Sequence, residues 1–298
     1  MRKSMTRFLP FFLIIFLLGS SFYADNVIAQ DQKTFMWKAQ SKTAVVYMLG
    51  SVHFMKKEVY PLNNKIEAAF ESSNILAVEA NINDVAKIDL QKLVASAFYL
   101  GNETLETHVS KETYELLKKE TAPLGIPIEL ISKQRPWFLA MTLESVELMK
   151  LGFNPQYGID NYFLKKAAGK KKIVELESLD YQINLFSGFS DEEQEFFLLY
   201  TLKNLKMVKH EIDQLMQAWM TGDLKGMELI ALKADPDMRV AKLYEKLIFE
   251  RNANMTLKIE DFLKTNKTYF VVVGAGHLVG KKGIIEMLKN KGYRVEQK

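Results

Sequence analysis

The chain contains no cysteine. Disulfides, thiolate metal sites, cysteine nucleophiles and a lipid anchor on an N-terminal cysteine are therefore excluded. Histidine is scarce, four residues in 298, so any imidazole chemistry rests on very few positions. His-Glu-x-x-His is absent, which rules out an ordinary zincin helix, and no Gly-x-Ser-x-Gly elbow supports a serine triad. A long apolar run is missing too. Phe8–Leu18 spans 11 residues and is interrupted by Pro10, whereas a bilayer crossing takes about 20. Flanked by Arg2, Lys3 and Arg7 before it and Val27-Ile28-Ala29 after it, this stretch has the form of an export signal over residues 1–29. An uncleaved anchor, which would be the protein's one tie to a membrane, is the alternative. The expected location is periplasmic or extracellular.

Nor is there a charge excess. Without residues 1–29 the chain holds 37 basic and 35 acidic residues, so the net charge falls from +4 to +2. That balance gives no reason to expect nucleic acid, whose partners carry a basic stripe. Lysine patches such as Lys165-Lys166 and Lys170-Lys171-Lys172 read as solvated faces and turns. Without disulfides the exported chain relies on its core alone, and about 270 residues can bury a sufficient one.

Residues 30–298 read as a single α/β domain: a central mixed sheet with a strand-end active site and a large helical insertion, its helical middle at about 191–264. Phe35–Lys38 and Ala44–Leu49 form an opening hairpin in this reading, and Ile66, Ala69 and Phe70 mark an amphipathic helix opened by Pro61-Leu62. Strands are expected at Ile75–Glu79, Ile128–Leu130, Ile173–Leu176, Tyr269–Val273 and Tyr293–Glu296. Helices are expected over much of Asp84–Ser145, at Ile159–Ala168, through most of Asp191–Lys264 and at Lys282–Lys289. Asp191 is the expected N-cap of the long helical stretch, with Gln194 at the capping-box position. Met207, Met216 and Met220 read as ordinary helix packing.

What the chain does have is one device used twice. Gly50-Ser51-Val52-His53 follows the apolar run Val45–Leu49, and Gly274-Ala275-Gly276-His277 follows Tyr269–Val273. Ligand sites in open α/β sheets lie at the carboxyl ends of strands, so two such motifs on adjacent central strands would bring His53 and His277 to one sheet edge. Glycine at the strand end permits a sharp turn and a close approach. Glu79 and Glu177 each close another apolar run and would emerge at the same edge if those strands run parallel. Two imidazoles and a carboxylate are a familiar hydrolytic metal set, able to lower the pKa of water. Glu79 is the first choice of ligand or general base and Glu177 the second. Arg251-Asn252, after a helix, suits holding a carboxylate or polarising a carbonyl; a helix-end ion pair is the plain alternative. His108 and His210 sit among polar helical residues and read as surface. The Gly274, Gly276 and Gly280 spacing is not that of a dinucleotide fingerprint, and only 18 residues follow it. The helix N-terminus there would suit an anion or a developing oxyanion.

The ordered motifs resemble the TraB/GumN family, whose relatives include the Tiki proteins. Those motifs are Gly50–His53 with Tyr60-Pro61-Leu62, Glu79, Arg135-Pro136-Trp137, Gly158-Ile159-Asp160 and Leu176-Glu177-Ser178 with Gln182. Trp219 with Gly222-Asp223, Arg251-Asn252 and the closing Val273–Gly280 complete the series. Ser51 and Met255 stand where relatives often carry Thr and Trp. The resemblance implies a metal-dependent hydrolase of metalloprotease type, with His53, His277 and Glu79 as the metal centre and Arg251 and Asn252 lining the pocket. It favours manganese or cobalt; ligand types alone leave zinc open. The expected substrate is a peptide or a small acyl compound. Two other readings of the same residues stand beside it. In one, the cleft captures a small ligand, haem or a peptide without turnover. In the other, the helical middle docks a secreted peptide.

Overall fold

Runs that are apolar on both faces belong in the middle of a sheet, and the two runs that precede the strand-end histidines lie there. The computed structural model describes residues 33–84, 89–233 and 235–298; the export signal expected at 1–29 lies outside them. Its strands are β1 (Met36–Gln40), β2 (Val45–Ser51), β3 (Ile75–Val78), β4 (Lys172–Glu175), β5 (Thr268–Gly274) and β6 (Arg294–Gln297). They form one six-stranded sheet in the order β4-β3-β5-β2-β1-β6. β2, β3, β4 and β5 run parallel, while β1 is antiparallel to both of its neighbours. The sheet is therefore mixed, as expected. In the β2–β5 pair Gly50 stands opposite Val273 and Ser51 opposite Gly274. The two Gly-x-x-His motifs thus leave adjacent strands at one level of the same edge.

Burial explains this order. All four residues of β3 are buried, as are Tyr269 to Val273 in β5. Phe70, Phe163 and Phe270 meet against the sheet with ring centroids 4.9, 5.5 and 4.8 Å apart. Truncating one of these would cost about 3–5 kcal/mol. The helix Asn64–Ser72, capped by the Asn63 side chain, supplies Phe70 together with buried Ile66 and Ala69. The helix Glu250–Leu263 packs Met255, Ile259 and Leu263 into the same core.

The helical portion has cores of its own. Leu117, Leu139, Leu143, Leu198 and Leu202 join the helices Lys111–Thr121, Pro136–Lys150 and Asp191–Asn204. Phe189, Phe196, Val240 and Leu243 form a smaller cluster. Among the described residues no helix is long and apolar enough to cross a membrane.

Several local expectations need correction. Ile128–Leu130 is not a strand: Ile128–Ile131 is a single helical turn following Pro127, whose fixed φ suits a helix start. The N-cap of the helix Asp191–Asn204 is Ser190, not Asp191, and its capping-box partner is Glu193. The fourth strand begins and ends one residue earlier than expected. Its pairing with the β3 side continues past both strands, through Leu176 N–H to Val78 O (2.8 Å) and Glu177 N–H to Glu79 O (2.7 Å). Met207 and Met220 are exposed, at 43% and 57%, rather than packed. His210 is exposed as expected, but His108 is half-buried, stacked on Tyr99 with centroids 4.1 Å apart.

Candidate functional site

The close approach of four chain segments at the carboxyl edge of the sheet depends on two glycines. A Cβ on Gly274 would lie 3.3 Å from Glu79 Oε1, 3.3 Å from His277 Cδ2 and 4.0 Å from His53 Nε2. Glu79 and both strand-end histidines therefore surround one point. A Cβ on Gly158 would collide with the carbonyl of His53. Only glycine lets the helix Ile159–Ala167 start that near, and Ile159 N–H then donates to Val52 O at 3.1 Å. On the other side Trp219 Nε1 donates to Gly50 O at 2.7 Å, pinning the end of β2 from a buried position.

Each histidine is held through Nδ1. Asp160, the second residue of that helix, places Oδ1 3.1 Å from His53 Nδ1 and also accepts from Ser51 Oγ at 2.8 Å. His277 Nδ1 lies 2.6 Å from Asn252 Oδ1, and Asn252 Nδ2 donates to Lys282 O at 2.8 Å. Because the amide nitrogen is committed to a carbonyl, Oδ1 accepts and His277 carries its proton on Nδ1. Its Nε2 is then the lone-pair nitrogen, 3.7 Å from Glu79 Oε1. Holding imidazole through the outer nitrogen is how proteins present the other one to a metal.

The two rings differ in charge. His277 is buried, and burial, only partly offset by Glu79, lowers its pKa to about 4. It is neutral near pH 7. His53 sits in the concave wall of the cleft yet keeps 62% of its side chain open to water. Its surroundings oppose a charge, but Asp160, by charge and hydrogen bond, and Glu79 outweigh that and raise its pKa to about 9. Asp160 is correspondingly lowered: burial opposes its ionisation, and His53 and Ser51 outweigh it.

Glu79 and Glu177 are set apart by how many of their lone pairs are taken. Glu79 Oε1 accepts from Gly274 N–H at 2.6 Å, and Oε2 accepts from Arg251 Nη2 at 2.6 Å and Gln182 Nε2 at 3.1 Å. A carboxylate has about four acceptor positions, so Oε1 keeps one for a further partner. Burial works against ionising Glu79, but His277, Arg251, His53 and the Gly274 amide hold its pKa down at about 2. His277 helps only when protonated, so at neutral pH the hold comes from the other three. Glu177 is turned inward: Arg251 Nε reaches Oε1 at 2.9 Å and Oε2 at 3.1 Å, Arg251 Nη2 reaches Oε2 at 2.7 Å, and Gln182 Nε2 reaches Oε2 at 3.1 Å.

Arg251 does hold carboxylates, but they are the protein's own. Its remaining donor, Nη1, goes to Leu247 O at 2.9 Å, the carbonyl of a π-helical turn, Glu245–Phe249. Arg251 is 7% exposed, and with Glu177 it buttresses Glu79 rather than reaching into solvent. Asn252 likewise acts on His277 and is fully buried. The amide at the start of Ala275–Leu278, expected to suit an anion, has one: the Glu79 carboxylate on Gly274 N–H.

The sequence singles out His53, His277, Glu79, Glu177, Arg251 and Asn252, and the fold gathers all six. The roles of Asp160, Ser51 and Gln182 emerge only in three dimensions. Asp160 and Gln182 stand inside short motifs, but nothing in their spacing points to His53 or to the carboxylate pair. Among the described residues no group of three His, Asp or Glu side chains is already arranged to hold a metal ion. The donor chemistry nonetheless suits one: two Nε2 atoms, each ring oriented from behind, and a carboxylate oxygen with an open lone pair. A cleft of about 400 Å³ opens over this edge, walled by Phe54, Ile82, Met141, Leu185 and Phe186.

Known proteins share this sequence pattern over nearly its full described length. A family model described as the TraB/PrgY/gumN family matches residues 35–297. The protein named Uncharacterized protein YbaP from Escherichia coli (strain K12) is 27% identical over 244 residues, 82% of this chain and 87% of that protein. Metalloprotease TIKI1 of Xenopus tropicalis is 24% identical over 350 residues, 97% of this chain and 67% of that protein. The Metalloprotease TIKI homolog of Nematostella vectensis is 21% identical over 327 residues, 91% and 68% of the two chains. No solved structure matches the chain.

Proposed function

This chain belongs to the TraB/PrgY/gumN family, and from that premise we propose that it is an exported hydrolase of peptide or other acyl bonds, dependent on one divalent metal ion. The observation that carries the proposal is the convergence of His53, His277 and Glu79 on Gly274, with each imidazole oriented through Nδ1. The distant relatives named metalloproteases support the reaction class. In this reading His53 Nε2, His277 Nε2 and Glu79 Oε1 hold the ion. When bound, a divalent ion there supplies the Lewis acidity that makes water a nucleophile near neutral pH.

The protein's own groups do the rest. Asn252 fixes the His277 tautomer, so that no proton need leave that ring for its Nε2 to act as a donor. Arg251, Gln182 and Gly274 N–H keep Glu79 ionised and immobile, which avoids reorganisation during reaction. His53, the exposed member, carries a proton at neutral pH that it would have to lose for its Nε2 to serve as a ligand. Manganese, cobalt and zinc are all compatible with this donor set.

The test is a peptide pool incubated with protein loaded in turn with each of these ions and read by mass spectrometry. Cleavage by wild type that disappears with chelator and in His53→Ala/His277→Ala is the expected result. Cleavage that persists in the double variant would refute the assignment.

A further inference from the structure

A second cleft, of about 410 Å³, adjoins the first, and His53, Phe54 and Met141 line both. It runs between the helices Pro136–Lys150, Val208–Thr221 and Leu224–Ala231. Its walls are apolar, with Leu148, Ile212, Leu215 and Ile230 among them, and two carboxylates stand in this lining, Glu144 and Glu211. Glu211 already receives an ammonium: Lys233 Nζ lies 3.2 Å from its Oε1. Glu144 has no hydrogen bond or ion pair among the described residues. Apart from His53 at the shared mouth, the two glutamates are the ionisable groups of this lining.

We propose that this cleft is the specificity subsite of the hydrolytic centre and receives a substrate side chain of lysine or arginine type. The proposal rests on the hydrolase reading above. The aliphatic stem lies along Leu148, Ile212 and Leu215, and the cationic head reaches Glu144 and the free side of Glu211. Long basic side chains divide themselves in this way between apolar wall and polar end. A neutral apolar side chain would fill the same walls but leave Glu144 without a counter-charge. An acidic one would add a third negative charge. Glu144 is solvent-exposed at the cleft wall; desolvation by that wall, with the Glu211 charge adding to it, raises its carboxyl pKa, and a cation between the two relieves that repulsion. The continuity of the clefts at His53 places such a residue beside the scissile bond.

Binding tests the subsite without requiring turnover. Nα-acetyl-lysine amide and its uncharged counterpart Nα-acetyl-norleucine amide are titrated into the full chain and followed by NMR shift changes. The lysine compound is expected to bind on the order of tenfold more tightly, as one or two charge-assisted hydrogen bonds provide. Glu144→Gln/Glu211→Gln is expected to abolish the difference, and Glu144→Lys to reverse it in favour of the glutamate analogue. Equal affinity for the two compounds, no binding of either, or a preference that survives the double substitution would overturn the proposal. Both glutamates lie at the cleft surface, so folding is expected to survive, and the Glu144→Lys arm guards against simple loss of structure. A lysine preference without peptide cleavage would count against the hydrolase reading and leave the subsite standing.

Discussion

Asn252 stands between His277 and the main chain at Lys282: Oδ1 accepts from Nδ1 at 2.6 Å and Nδ2 donates to the carbonyl at 2.8 Å. One amide therefore fixes both the orientation and the tautomer of a buried imidazole. Asn252→Ala should leave Nδ1–H without a partner, costing about 1–3 kcal/mol of stability. It should also weaken metal affinity about 10–100-fold, as loss of an outer-shell partner does. Urea unfolding and metal titration measure the two separately. Unchanged metal affinity would mean that His277 does not bind the ion.

Arg251 neutralises two buried carboxylates at once. Arg251→Ala should cost about 3–5 kcal/mol, because Glu79 and Glu177 are left facing each other without compensation. Arg251→Lys should rescue only part of this, since an ammonium cannot reproduce the fork of donors that spans Glu79, Glu177 and Leu247 O. Denaturant midpoints of the two variants check the order. A lysine variant as stable as wild type would contradict the fork.

The pH dependence of stability in the metal-free protein has two limbs. His277 titrates near 4 when folded and 6.5 when unfolded. The unfolded chain binds the extra proton in that window, so stability falls as pH drops from 6.5 toward 4. His53 titrates near 9 when folded against 6.5 unfolded. Its contribution is fully present below 6.5 and is lost as pH rises toward 9. These two groups alone predict a maximum near pH 6.5, with Glu79 adding a further loss as pH falls from 4.5 toward 2. Thermal melts across pH should show both limbs, and His53→Gln should remove the alkaline one. A flat response between pH 6.5 and 9 in wild type would contradict the Asp160 pairing.

The same charges predict proton release. At pH 7 His53 is protonated while His277 and Glu79 already expose their donor atoms, so binding one ion should release about one proton, from His53. Calorimetry in buffers of different ionisation enthalpy counts it. Release near zero would remove His53 from the ligand set.

What was legible in the residues followed from burial. β2 and β5 announce themselves because strands apolar on both faces leave no alternative to the sheet centre, and the histidines come with them at a fixed offset. Glu79 was legible for the same reason, as the first polar residue after a fully buried strand. Ile128–Leu130 misled because an Ile-Glu-Leu alternation fits a strand as well as a helical turn, and the Pro127 start decided it. Ser190 and Asp191 are both capping residues, and only the Glu193 reciprocal bond distinguishes them. Asp160 was out of reach for a different reason. Its link to His53 joins positions 107 residues apart, and it exists only because Gly158 lets a helix start against the His53 carbonyl. The direction of Arg251 toward Glu79 and Glu177, instead of toward a substrate, was equally invisible, since it joins the start of the helix Glu250–Leu263 to residues 172 and 74 positions away.

The central claim is that both strand-end histidines serve one metal ion. The most direct measurement is metal content after dialysis and reloading with manganese, cobalt or zinc, wild type beside His53→Ala, His277→Ala and the double variant. The account predicts about one ion per chain in wild type and none in any of the three variants, with far-UV circular dichroism unchanged. Full occupancy in either single variant, or no ion in wild type, would contradict it.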